Sequence, residues 1–328
     1  MASFLCSPKF LLILLFLSAI PIAIIVSLES AAPTSHRYHF HNTGWLREST
    51  KWDHVNRRFI VSFLDGGGLG VLPLPEDIDD KPGVVLQEIV VVKNTDAVGN
   101  GSCGLFIDHP RNRVVIAIAD VLGNTYSAVA AYDLNSWKRL FFTQLSFSGD
   151  GKTFADDVTV DAEGNTYVTD AKGTKIWKVG LNGELLSVIK SPLFHAKQWY
   201  KDFVTLNGIV YHPNGYLIVA HTLTGYLFRV EINNDNKVTV VKVDDSLSIA
   251  DGLELLSPTK LVVAGANGVK LVESDDDWVT ATIVGRSPVL KHRLVTSSTV
   301  KDGKVYINHA IGMGYPRKKH ILVEAVFS

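Results

Sequence analysis

Short runs rich in Val, Ile, Tyr, Phe and Thr recur along this chain, each bounded by Gly, Asn or Asp, with almost no helical pattern between them. The clearest are Phe59–Phe63, Val114–Ile118, Thr166–Thr169, Tyr216–Ala220, Lys260–Ala264 and Lys304–Asn308. Their centres lie roughly 44 to 55 residues apart. A period of that length made only of strands predicts an all-β fold, a six-bladed β-propeller with four antiparallel strands per blade. About 290 residues shared among six units gives about 48 each, which fits the spacing, whereas seven units would need about 41.

The repeat has internal grammar. In one unit Phe154–Asp161 leads into Asn165–Asp170, then Lys175–Val179 and Leu185–Ile189. The next reads Leu206–His212, Gly215–Ala220, Tyr226–Glu231 and Val238–Val243, and a further one opens at Ala250-Asp251-Gly252-Leu253. Gly-Asn, Asn-Gly and Asp-Gly pairs between alternating segments are hairpin signals. The first unit starts near Glu48 and the last near Val295. A ring must close, so a strand from one terminus should complete a blade begun by the other; Tyr38–Phe40 and Ile321–Phe327 are the two candidates. The stretch Ser191–Val204 is longer and more aromatic than a tight connection needs, and is expected to form a loop or short helix over one face.

The N-terminus is of another kind. Lys9 precedes an apolar run from Phe10 to Val26, and Ser30, Ala31 and Ala32 follow. That order of basic, apolar and small residues predicts a signal peptide and a secreted chain, with a membrane anchor over residues 10–26 as the alternative. Residues 1–32 are therefore set apart from the fold, 33–43 are expected as a linker, and 44–328 as the propeller. Of the two cysteines, Cys6 falls in the targeting segment and Cys103 stands alone. Asn100-Gly101-Ser102 is a glycosylation sequon, with Asn100 as the acceptor. Lys and Arg number 32 against 33 Asp and Glu, so nothing points to a nucleic-acid partner. The chain is expected to act as a monomer on a small-molecule substrate, touching a membrane only through an uncleaved N-terminal segment.

In a propeller the innermost strand of each blade lines a central channel, so residues opening those strands converge although far apart in sequence. Here they are Glu48, Asp156, Asn207 and Asp251, all bearing side-chain oxygen. Three carboxylates meeting at one point repel unless a cation joins them. A hard dication such as calcium takes six to eight oxygen ligands, and no His or Cys at these positions suggests a softer metal. Taken singly, Asp-Gly and Asn-Gly pairs are ordinary turn formers; their recurrence at one repeat position is what points to a site.

These segments resemble the gluconolactonase/regucalcin (senescence marker protein) family and, more distantly, the calcium-dependent phosphotriesterases and strictosidine-synthase-like proteins. Glu48-Ser49-Thr50-Lys51-Trp52 is similar to the family's first-blade Glu-Ser-Pro-x-Trp segment, and Asp156-Asp157-x-x-Val160-Asp161 to its Asn-Asp-Gly-x-Val-Asp segment. Asn207-Gly208-Ile209 and Asp251-Gly252-Leu253 resemble its Asn-Gly-Leu and Asp-Gly-Met/Leu. The resemblance runs from about residue 44 to the C-terminus. It implies a Ca2+ at the channel mouth held by Glu48, Asp156, Asn207 and Asp251, and a hydrolase of lactones or related esters, phosphotriesters included. Asp251 is the first candidate for general base and His309 the second, with His221 behind them. Thr50 stands where the family has Pro, and Asp156 where it has Asn; the extra charge favours metal binding while weakening the pull on substrate.

Two other functions remain open. One is a non-catalytic binding propeller, which predicts that Asp251→Asn leaves the biological phenotype intact. The other is a strictosidine-synthase-like enzyme working from a Glu without metal, which predicts no bound calcium. Gly99-Asn100-Gly101-Ser102-Cys103-Gly104 fits a dinucleotide fingerprint, but a strand rather than a helix is expected after it. The His36, His39, His41 cluster is expected in the linker or an edge strand.

Overall fold

A computed structural model describes residues 7–30, 35–79, 81, 83–93 and 99–328. Cys6 lies outside them. Helix α1 (Pro8–Ser30) is apolar all round, so no face of it is made for a soluble core. Everything described after it is strand, turn or short 3-10 segment.

The strands fall into four-stranded antiparallel sets in chain order. The first set is β2 (Arg47–Asp53), β3 (Arg58–Phe63), β4 (Leu69–Pro73) and β6 (Ile89–Val92). Then come β7 (Gly101–Asp108), β8 (Arg113–Ala119), β9 (Ser127–Asp133) and β10 (Arg139–Gln144). They are followed by β11 (Ala155–Val160), β12 (Thr166–Asp170), β13 (Lys175–Val179) and β14 (Leu185–Ile189). Next are β15 (Leu206–His212), β16 (Tyr216–His221), β17 (Leu227–Glu231) and β18 (Lys237–Val243). After them stand β19 (Ala250–Ser257), β20 (Lys260–Gly265), β21 (Val269–Glu273) and β22 (Thr280–Ser287), joined to the preceding set by a short parallel pairing of β18 with β22. The apolar runs that recur in the sequence are the second strands of these sets, because a strand covered on both faces reads as a continuous hydrophobic stretch.

The last sheet is built from both ends of the chain. β23 (Val295–Lys301), β24 (Lys304–Met313) and β25 (Lys318–Glu324) are completed by β1 (Arg37–Asn42), which runs antiparallel to β25 with Tyr38 opposite Leu322. Residues 37–42 are thus a structural strand and not a linker; alternation puts Tyr38 and Phe40 in the core, where they bury against Phe59, Leu72, Tyr306 and Leu322. The short β5 (Val85–Gln87) adds to β1 in parallel. The His cluster dissolves on the same strand, since His39 and His41 project on the face opposite Tyr38 and Phe40 while His36 reaches Tyr306.

Neighbouring first strands pack in chain order, β2 on β7, β7 on β11, β11 on β15, β15 on β19, β19 on β23, and β23 returns to β2. Each gap between adjacent sheets is filled by its own apolar cluster, one around Trp177 and another around Trp278. Asn308 of β24 fastens the closing seam: its Nδ2 donates to the carbonyls of Arg47 (2.8 Å) and Glu48 (2.9 Å), and its Oδ1 accepts from Thr50 Oγ1 (3.1 Å).

Candidate metal centre

Every first strand carries the same irregularity. The register slips between Arg47 and Thr50, Ser102 and Leu105, Ala155 and Val158, Leu206 and Ile209, Ala250 and Leu253, and Val295 and Ser297. A bulge places one extra residue on a strand and re-aims its side chains. The residues at the start of the bulges are Glu48, Cys103, Asp156, Asn207, Asp251 and Thr296, and all but Cys103, which packs in an apolar cluster, line one hole at the axis.

Carboxylate oxygens of Glu48, Asp156 and Asp251 lie within 4.8 Å of one another. Asn207 lines the same space, and its carboxamide beside Asp251 works against the upward shift of that carboxyl. The hole they enclose is about 10 Å³, room for roughly one ion or water. All four predicted ligands therefore meet. The carboxylates crowd: burial, then the Asp157 charge, pushes Glu48 up to about 7. Burial, followed by Glu48, raises Asp156 and Asp251 well above the carboxylate range.

The Gly partners of these residues are not turn glycines. Gly208 and Gly252 sit inside β15 and β19, and a Cβ on either would strike the next first strand, 2.2 Å from the Asp251 carbonyl oxygen and 2.6 Å from that of Thr296. The Asn-Gly and Asp-Gly pairs are therefore a packing device: the polar residue faces the axis while the glycine lets the neighbouring backbone close in. Gly252→Ala is expected to force β19 off β23 at a cost of about 1–3 kcal/mol, seen as a thermal midpoint lower by about 2 °C per kcal/mol.

Five residues of the site escape the sequence reading. Cys103 and Thr296 occupy the ligand position of their units; burial, then Asp156, raises the Cys103 thiol far up, so it stays protonated. Asp157 faces the seam between β11 and β15, accepting from the amides of Val158 (2.9 Å) and Ile209 (3.2 Å), and burial lifts it to about 6 against the pull of Lys51. Lys51 pairs with Glu254 and donates to the Ser298 carbonyl (3.0 Å), laying an internal ion pair across the channel beneath the acids. Below it opens a cavity of about 240 Å³, lined by Lys51, Phe106, Thr159, Val210, Glu254 and Thr299 among others. Each stands three residues after a ligand position.

His309 does not join them. It lies one strand out from the axis, opposite Val295 on β24, and its Nε2 accepts from the Leu290 amide (3.2 Å). Burial holds it down to about 3, so it stays neutral. A depressed histidine contributes stability that is whole above 6.5 and is lost as pH falls toward 3. His309→Gln keeps an acceptor and cannot charge, so it should flatten acid unfolding by on the order of 5 kcal/mol over that interval in calorimetry at stepped pH. His221 is buried at the end of β16, 3.8 Å from Asp202, with burial lowering its pKa, and it does not line the acidic hole. Asn100, partly exposed, immediately precedes β7, and no helix follows the glycines there. The expected cover over one face is present as two 3-10 segments, Pro192–Phe194 and Trp199–Phe203.

No family model and no curated protein matches the chain. Among solved structures it shares the β-propeller fold with the major Malassezia sympodialis allergen Mala s 1, at 17% identity and TM-score 0.65 over 85% of this chain and 92% of that one. It is also similar to a gluconolactonase from Xanthomonas campestris, at 15% identity and TM-score 0.53 over 87% and 88% of the two chains. A glucose dehydrogenase matches at 12% identity and TM-score 0.53 over 87% and 98%. An allergen, a lactonase and a dehydrogenase on one scaffold define the architecture of this chain, and its chemistry has to be read from the residues at its axis.

Proposed function

We propose that the chain is a calcium-dependent hydrolase of lactones or related esters, built on six blades with β1 completing the last. The observation that carries this reading is the convergence of Glu48, Asp156 and Asp251, with Asn207 beside them, on a hole the size of one ion. The donor set suits a hard dication: three carboxylates and a carboxamide, with no imidazole or thiol in the lining. Calcium, when bound, would polarise the scissile carbonyl and stabilise charge developing on its oxygen.

The protein's own groups supply the rest. Asp251 is the base that takes the proton of the attacking water, and the Asn207 carboxamide beside it favours its charged form. Asn308 and Thr296 hold the Glu48 backbone, Thr296 Oγ1 donating to the Glu48 carbonyl (2.5 Å). The Lys51–Glu254 pair closes the channel below, so substrate arrives from the end at which the first strands begin. Purified protein should open simple γ- and δ-lactones, fall to the uncatalysed rate in chelator and recover when calcium returns. Turnover indifferent to chelation would remove the proposal.

A further inference from the structure

The acidic hole lies at the end of the fold where the first strands begin. Because alternate strands run antiparallel, the connections leading into those strands and the turns between second and third strands all gather at that end. Outside α1, every exposed aromatic side chain among the described residues stands there. Trp45 precedes β2, Phe147 precedes β11, and Trp199 and Phe203 precede β15. Tyr226 and Tyr315 sit in the β16–β17 and β24–β25 turns. Trp199 is 86% exposed and Tyr315 91%. Among the described residues the turns of the opposite end expose three large apolar side chains, Val55, Leu181 and Val279, and no Phe, Trp or Tyr. Amphipathic rings collected on one face are the composition of a surface that meets lipid headgroups.

A second observation points the same way. α1 holds an 18-residue window of mean hydropathy 2.9, none of it buried, and its 22-residue span Pro8–Glu29, about 33 Å of helix, matches a hydrocarbon core of about 30 Å. Its lower end is fastened to the aromatic face. The Glu29 carboxylate accepts from Arg293 (2.5 and 2.7 Å) and pairs with His292 (2.6 Å), both on the short turn leading into β23. A span pinned there would bring that end of the propeller down on the bilayer and no other.

We propose that α1 is retained as a membrane span and that the site-bearing end of the propeller rests on the bilayer it crosses, so that the acidic hole opens toward lipid. The inference stands on the placement of α1 and the aromatic rim, and holds whether or not the site is a hydrolase.

The full chain reconstituted in phosphatidylcholine vesicles tests it. With Cys6 replaced by Ser, single cysteines at Trp199→Cys and Phe147→Cys on the rim, and at Val55→Cys and Val279→Cys on the far end, would carry an environment-sensitive fluorophore. The rim labels should sit about 5–10 Å into the headgroup boundary, blue-shifted and lost to iodide quenching, while the far labels stay fully quenchable. The unsubstituted protein gives a parallel reading: brominated lipid should quench its tryptophan fluorescence, and Trp199→Phe should remove a large part of that quenching. Equal iodide access at both ends overturns the proposal. So does rim protection that vanishes as protein is diluted into excess lipid, which would mark a second copy as the occupant. Two further results overturn it: a mature cellular chain lacking residues 1–30, or a glycan on Asn100, which immediately precedes β7 at this same face and cannot share it with lipid.

Discussion

Asp251→Asn should cut kcat/KM for lactone opening by about 10³-fold, the scale of a lost general base, and the loss should persist at saturating calcium. The substitution keeps the volume of the side chain and one oxygen facing the hole, so the fold and a weakened ion site should survive it. What disappears is the group that takes a proton. Asp156→Asn supplies the control. The two residues occupy equivalent bulges and share the same crowding by Glu48, but Asp251 has the Asn207 carboxamide beside it, which favours its charged form. Removing the Asp156 charge should lower calcium affinity by about tenfold and leave kcat intact or raised once calcium saturates, because a less neutralised ion pulls harder on the carbonyl. Equal losses of kcat in the two variants would assign both carboxylates to holding the ion alone and leave the base elsewhere.

That these two residues can be paired at all shows how far the sequence carries. The second strands announce themselves, since Val114–Ile118 or Tyr216–Ala220 lie between two packed layers and have no polar side to alternate with. The four oxygen-bearing residues were legible because they open the first, third, fourth and fifth units at one repeat position. Their unit-mates Cys103 and Thr296 were not, because neither is a carboxylate or carboxamide and nothing in their own segments distinguishes them. The second tier of the channel was hidden for a geometric reason. Residues two apart share a face in a regular strand, yet Lys51 follows Glu48, and Glu254 follows Asp251, by three. The bulge inserts the residue that brings i and i+3 to the same side, and no local pattern of hydrophobicity encodes it. His309, the second candidate base, misled for the converse reason: strand alternation sends its neighbour Asn308 to the seam and turns His309 away from it. The closing strand was ambiguous for want of any difference between Tyr38–Phe40 and Ile321–Phe327 as apolar alternations. It was settled by length, because β23 to β25 already supply three strands and leave one place.

Calcium should also govern stability, and by an amount that depends on pH. At about 1,000 times its dissociation constant, an ion that binds only the folded chain adds about 4 kcal/mol, which in a protein of this size raises the thermal midpoint by about 8 °C. Stripped of the ion, Glu48 has a folded pKa near 7 against 4.5 in the open chain. A carboxylate raised in this way favours the fold while protonated: its contribution is complete below 4.5 and is lost as pH climbs through 7, on the order of 3 kcal/mol for this one group. Asp156 and Asp251 shift in the same direction, so the metal-free protein should weaken across that interval. Bound calcium replaces the protons and removes the loss. The gap between the loaded and stripped melting curves should therefore widen from pH 4.5 to 7, and each proton the ion displaces lowers apparent calcium affinity about tenfold per pH unit below the pKa of the group that held it. Calorimetry at stepped pH, with and without chelator, reads both. A gap that stays constant would mean the carboxylates are already ionised without the ion, and their crowding would then have to be relieved by Lys51 and the backbone amides around Asp157.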